Sequence, residues 1–249
     1  MANNSDEVES ILEKLQVELD NAEVSGWGSS IEPHRERYIE TLKVVEQEVE
    51  RGSDILDIGA LPYHLTYLLQ RKGYAVTGAD LEPNRMKDFK ERVGLEVEKW
   101  DIEKEKPPFE RESFDVVLFN EVFEHLRINP IRALERINCA LKPEGKLILS
   151  TPNLYSIYNI VDFLAGNGLD GGYSEFKKLD EVGHMGHVRI YSEDEMRKFL
   201  ENTGFRVLDV NYRWYKGDYP SRKLDTVLSF LKKFKPSLQP DMFLIAEPE

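Results

Sequence analysis

The chain has 249 residues, 41% of them hydrophobic, and a formal net charge of -13. That length and apolar content support one large α/β domain or two small ones and exclude wholesale disorder, while the acidity argues against a surface built to follow a phosphate backbone, so no nucleic-acid partner is expected. The single cysteine, Cys139, excludes an internal disulfide, and with a polar N-terminus and no apolar run of about 20 residues the expectation is a cytoplasmic protein without a membrane span.

Val8, Ile11, Leu12, Leu15 and Leu19 recur at helical spacing among acids, predicting an amphipathic helix over 7–20 that caps the domain. Gly26-Trp27-Gly28-Ser29-Ser30 interrupts it, and a second helix is expected from Pro33 to Glu50. Ile55 to Ile58 reads as a strand that closes on Gly59, followed by a helix from His64 to Gly73. Further strands are expected at Tyr74–Asp80, Leu95–Lys99 and Phe114–Asn120. A helix over Ile131–Leu141, a turn at Lys142-Pro143-Glu144-Gly145 and a strand over Lys146–Ser150 follow. Strands alternating with helices predict a doubly wound, mostly parallel sheet.

The remaining chain differs in character. Residues 154–190 are rich in glycine and aromatics and read as an inserted lid, in which Tyr155, Tyr158, Phe163, Tyr173 and Phe176 either offer faces that stack on a sugar or phenol ring or, as expected for most of them, form the lid's own small core. Ser192-Glu193-Asp194-Glu195 is a capping-box start for a helix ending near Gly204. Strands are expected at Phe205–Trp214 and Met242–Ala246, around a helical insertion at 216–238. Its run Leu224 to Leu238 is amphipathic and basic. Packing on its own domain is the expected role, with weak contact to a membrane surface as the lesser alternative. The whole is read as one domain over 1–249, with a helical cap at 1–50, a core at 51–153, a lid at 154–190 and C-terminal strands at 191–249.

Several residues carry chemistry. Gly59 has no Cβ and suits a tight turn beside a ligand. An acid ending the second strand, Asp80, is placed to accept both hydroxyls of a ribose. Asp101, after the third strand, is either an adenine partner or a helix cap. His125, in Glu121-Val122-Phe123-Glu124-His125, has a side chain suited to proton transfer near neutrality. His184 and His187 fall in the lid, and His187 is the second candidate. Cys139 is expected to be a small buried side chain.

The ordered motifs Ile-Leu-Asp-Ile-Gly (55–59), Val-Thr-Gly-Ala-Asp (76–80), Trp-Asp-Ile (100–102), Phe-Asp-Val-Val-Leu-Phe-Asn-Glu-Val-Phe-Glu-His-Leu (114–126) and Leu-Lys-Pro-Glu-Gly-Lys-Leu-Ile-Leu-Ser-Thr-Pro-Asn (141–153) resemble the class I S-adenosylmethionine-dependent methyltransferases. Within them the chain is most similar to the ubiquinone-biosynthesis O-methyltransferase branch. His187-Val188-Arg189-Ile190-Tyr191-Ser192 has a weaker similarity to methyltransferases of sugars and glycans. The resemblance implies a seven-stranded Rossmann-like sheet with an antiparallel last strand, S-adenosylmethionine as cofactor and a small-molecule or glycan acceptor methylated on oxygen. It implies cofactor contacts at Arg35, Asp57, Gly59, Ala60, Asp80, Leu81, Asp101, Ile102, Asn120 and Glu121, with Arg35 on the cofactor carboxylate through Pro33-His34-Arg35-Glu36-Arg37-Tyr38-Ile39. For the base of such a reaction His125 is the first candidate and His187 the second. Glu121, Glu124 and His125 match a divalent-metal constellation of the quinone branch, though many members carry those residues without metal and the metal-free reading is preferred. The family pattern Gly-x-Gly-x-Gly is departed from at Gly59-Ala60-Leu61-Pro62-Tyr63. Three rivals stand beside this reading: nitrogen or carboxyl methylation; a nicotinamide oxidoreductase, disfavoured by the absent Gly-x-Gly-x-x-Gly; and a non-catalytic binding module.

Overall fold

The computed structural model describes residues 2–26, 28–168, 173, 175–178, 186–213 and 235–249. In chain order the elements are α1 (Ala2–Asn21), α2 (Arg35–Glu48), β1 (Asp54–Ile58), α3 (His64–Arg71), β2 (Ala75–Asp80), α4 (Lys87–Val93), β3 (Glu96–Lys99) and β4 (Phe114–Asn120). There follow α5 (Pro130–Ala140), β5 (Leu141–Pro152), α6 (Ile157–Leu164), α7 (Glu193–Glu201), β6 (Phe205–Arg213) and β7 (Asp241–Pro248). The strands form one mixed sheet in the order β3-β2-β1-β4-β5-β7-β6. Among the described residues the chain divides into two compact units, one of residues 2–118 with 139–146, the other of 119–138, 147–213 and 235–249.

In the first unit β1 pairs in parallel with β2, Ile55 opposite Val76, and with β4, Leu56 opposite Val117. Ile55, Leu56, Val116, Val117 and Leu118 are fully buried, the continuous apolar run that a strand covered on both faces requires. The apolar stripe of α1 is buried as its spacing predicts, and α1 packs against α3 and α4. Ion pairs reinforce that docking: Lys72, with a fully buried side chain, meets Glu7 at 2.6 Å and Glu46 at 3.1 Å, and Arg92 meets Glu18 at 2.5 Å.

In the second unit β7 runs antiparallel to both β5, Leu149 opposite Leu244, and β6, with a bulge between Val207 and Asp209. Phe123, Tyr191 and Phe199 pack edge-on beside Phe119. The capping box opens α7: Ser192 Oγ accepts from the Glu195 amide while Glu195 reaches back to the Ser192 amide.

Several expectations change. Lys142-Pro143-Glu144-Gly145 is no turn; it lies within β5. Lys142 Nζ binds Asp54 at 3.0 Å and Asp115 at 2.9 Å, and a proline near a strand start is compatible with extended backbone. The lid aromatics do not make a core: Tyr155, Phe163, Tyr173 and Phe176 are exposed, Phe163 by 70%. Cys139 is half-buried. The first helix starts at Ala2, and the second opens as a single 3-10 turn, Glu32–His34. The basic run lies outside the described residues except at its end, where Pro236–Leu238 is a 3-10 turn, and His184 lies outside them too. Among the described residues no helix is long and apolar enough to cross a membrane.

Candidate active site

The first unit builds a turn at the carboxyl end of β1, and the sheet order reverses at that strand, where doubly wound sheets take their ligands. Gly59 has φ +73°. The amides of Gly59 and Ala60 both donate to the Ala79 carbonyl, at 2.8 and 3.2 Å. The next amide, that of Leu61, donates to Asp80 Oδ2 at 3.1 Å, and the Glu82 amide donates to Oδ1 at 3.0 Å. Each Asp80 oxygen is thus fixed by one backbone donor and keeps a second acceptor position. That leaves room for two hydroxyls from one ligand, the chemistry a ribose offers.

Tyr63 stands at the third glycine of the family pattern and keeps a glycine-like backbone, with φ +68°. Its ring is fully buried and its hydroxyl donates to the Pro83 carbonyl at 3.0 Å. Leu61, at the second glycine, is half-buried. Asp57 is buried and accepts from Thr66 Oγ1 at 2.6 Å, fastening the end of β1 to α3. Burial, opposed by the Thr66 bond and helped by the charge of Asp80, pushes its carboxyl up to about 7.

The other expected contacts are distributed as follows. Arg35 is ion-paired with Glu9 of α1 and with Glu32, so a cofactor carboxylate would have to compete with those acids. Asp101 accepts from the Glu103 amide at 3.1 Å and from Lys104 Nζ at 2.8 Å, the cap role weighed for it. Although desolvation works against it, these bonds hold its carboxyl below the ordinary value. Ala60 and Ile102 are buried, and Leu81 is exposed.

The second unit holds the rest. Asn120 ends β4 with both polar atoms of its amide buried and lacking a hydrogen-bond partner among the described residues. Glu121 has φ +55°, its amide donates to the Ser150 carbonyl, and its carboxylate accepts from Ser150 Oγ at 2.7 Å. Glu124 is buried and accepts from Thr151 Oγ1 at 3.0 Å. Burial, then the charge of Glu121, raises its carboxyl to about 8. His125 Nδ1 lies 3.0 Å from the Gly186 carbonyl. A carbonyl only accepts, so Nδ1 carries the proton and a neutral ring keeps its lone pair on Nε2. That Nε2 is 3.8 Å from Glu124 Oε1.

The structure brings His187 to His125, with ring centroids 5.1 Å apart. The Glu124 carbonyl accepts from the Val188 amide, and Glu175 accepts from the His187 amide, which holds this segment in place. Ligand atoms of Glu124, His125 and His187 lie within 4.8 Å of one another. Glu121, which the resemblance grouped with Glu124 and His125, is not in that group, and its carboxylate accepts from Ser150 Oγ. Sequence reading gave no role to Thr66, Ser150 and Thr151, ordinary hydroxyls whose type announces no chemistry, or to His64.

An acid at the end of β2, a glycine turn after β1 and an antiparallel last strand define a doubly wound α/β enzyme built to hold a nucleoside. The chain matches the methyltransferase-domain family over residues 32–210 and belongs to that family. It is an S-adenosylmethionine-dependent methyltransferase, which removes the oxidoreductase and non-catalytic rivals. It is 27% identical over 176 residues to ubiquinone biosynthesis O-methyltransferase of Coxiella burnetii, covering 68% of this chain and 70% of that protein. It is 33% identical over 173 residues to the uncharacterized methyltransferase YodH of Bacillus subtilis, covering 66% of this chain and 65% of that protein. A SAM-dependent methyltransferase structure from Archaeoglobus fulgidus aligns with TM-score 0.60 at 18% identity, over 86% of this chain and 94% of that one. This last likeness bears on the fold alone.

Proposed function

We propose that the protein methylates an oxygen of a small-molecule acceptor, a phenol or a sugar-type hydroxyl. The sulfonium of the cofactor supplies an already activated methyl group. The chain's task is then to align and to remove a proton. Alignment alone can contribute about 7–11 kcal/mol to lowering the barrier. Asp80 would hold the ribose hydroxyls from its two remaining acceptor positions, and the Leu61 and Glu82 amides keep that carboxylate in place. Asn120, with a buried unpartnered amide, has polar capacity to offer a ligand.

The observation that carries the reading is the tautomer of His125. The bond to the Gly186 carbonyl leaves Nε2 as the basic nitrogen, and an imidazole near neutrality is matched to deprotonating a hydroxyl. The name of the Coxiella relative supports oxygen over nitrogen. The test is mass-spectrometric screening of phenols, sugars, amines and carboxylates with isotopically labelled cofactor. Label in phenols or sugars is the expected outcome; label only in amines or carboxylates would overturn it.

A second reading has its own observation, the convergence of Glu124, His125 and His187. Two imidazoles and a carboxylate are donors for zinc, manganese or ferrous iron. A cation held there would polarise an acceptor oxygen. Turnover unchanged after exhaustive chelation would exclude it and leave His125 as the base.

A further inference from the structure

His64 is the first residue of α3 and is used by neither reading above. Its ring is buried, 1% exposed. Nε2 lies 2.9 Å from the Gly28 carbonyl. Since that oxygen only accepts, Nε2 carries the proton. Burial pulls the ring down to about 4, opposed by the Gly28 bond, so it is neutral throughout the physiological range. A neutral ring protonated on Nε2 has its lone pair on Nδ1. Nδ1 is buried and has no hydrogen-bond partner among the described residues, and a buried acceptor without a donor is costly unless a ligand satisfies it.

The surroundings give the ligand. His64 directly follows the Gly59–Tyr63 turn. Thr66, two residues on, holds Asp57. The edge of the ring faces Tyr38, with centroids 5.7 Å apart. Gly28 lies directly over the turn: a Cβ there would be 2.9 Å from Pro62 Cβ and 3.2 Å from Met86 Sδ. The Nε2 bond therefore fastens residue 28 across the turn while Nδ1 is left for something else. S-adenosylmethionine carries two N–H donor groups, the adenine amine and the ammonium of its amino-acid part. The resemblance to class I methyltransferases puts the first against Asp101 and Ile102, after β3, and the amino-acid part over the turn after β1. We infer that His64 is a cofactor-binding residue whose Nδ1 accepts a hydrogen bond from the ammonium of S-adenosylmethionine. The inference rests on the cofactor placement proposed above.

Two substitutions separate the two nitrogens. In His64→Gln the amide nitrogen takes the place of Nε2 and keeps the Gly28 bond, but nothing replaces Nδ1. In His64→Asn the amide oxygen takes the place of Nδ1 and the Gly28 bond is lost. Calorimetric titration of the full chain uses S-adenosylhomocysteine, which has the ammonium, and 5′-methylthioadenosine, which lacks the amino-acid part. The readout is the ratio of the two affinities within each protein, which a general loss of folded protein does not alter. The Gln variant is expected to weaken S-adenosylhomocysteine about tenfold or more, the scale of a lost hydrogen bond to a charged group, with methylthioadenosine unchanged. The Asn variant is expected to keep the wild-type ratio. An unchanged ratio in the Gln variant overturns the assignment while leaving the cofactor site in place. A ratio lost in Asn and kept in Gln would make His64 only the fastener of residue 28. Wild-type protein that binds neither compound would sink the cofactor placement and this inference together.

Discussion

At His125 one bond decides which nitrogen is basic, and that bond is to the Gly186 carbonyl. His125→Ala is expected to slow turnover about 10²- to 10⁴-fold, the usual scale of general-base loss, with S-adenosylhomocysteine affinity within a factor of about two. Calorimetry beside single-turnover kinetics checks both. Asp57 gives a second expectation, on stability. Its carboxyl is raised from 3.8 to about 7 by burial, so its stabilising share is full below the unfolded value and is lost as pH rises through about 7. Urea unfolding should therefore show wild-type stability falling between about pH 4 and 7 relative to Asp57→Asn. Tyr63 sets strain against packing. A left-handed backbone costs a residue with a Cβ about 1–2 kcal/mol. Removing a buried aromatic ring costs about 3–5 kcal/mol, so Tyr63→Gly should lower the melting temperature despite relieving the backbone.

At the scale of elements, α1 and α2 are tied to α3 through Lys72, whose side chain is fully buried between Glu7 and Glu46. Taking one partner from a buried pair costs about 3–5 kcal/mol. Both acids keep some solvent contact, 42% and 22% exposed, so Lys72→Ala belongs near the lower end, about 3 kcal/mol; denaturant midpoints measure it. Strands β1, β2 and β4 were legible because buried parallel strands are short apolar runs closed by a glycine or an acid. The element misread was β5. Lysine, proline, glutamate and glycine in succession look like a turn, and what flattens them is remote: Asp54 and Asp115 on other strands. The lid aromatics were misread for the opposite reason, since composition alone does not say which rings find neighbours.

At the scale of the whole molecule, the fold and the turn after β1 were readable because their signals are local: Gly59 and Asp80 sit at strand ends, and spacing announces them. The meeting of Glu124 with His187 was not, since no local period relates a residue after β4 to one in the lid. If the cluster takes a cation, affinity for manganese or zinc should rise with pH up to about 8, because Glu124, raised by burial and by Glu121, must release its proton first. Thermal shifts in Glu124→Gln should lose the part of that rise that belongs to this carboxyl and keep the part that belongs to the two imidazoles. The same contrast bears on how the chain acquires its structure. The cofactor turn closes short loops, the Leu61 amide reaching a carboxylate 19 positions away, whereas His125 must meet a carbonyl 61 positions on. Closure entropy grows with separation and slows assembly. A refolding chain should recover the ability to capture nucleoside before it recovers turnover, and a nascent chain would acquire the two abilities in the same sequence.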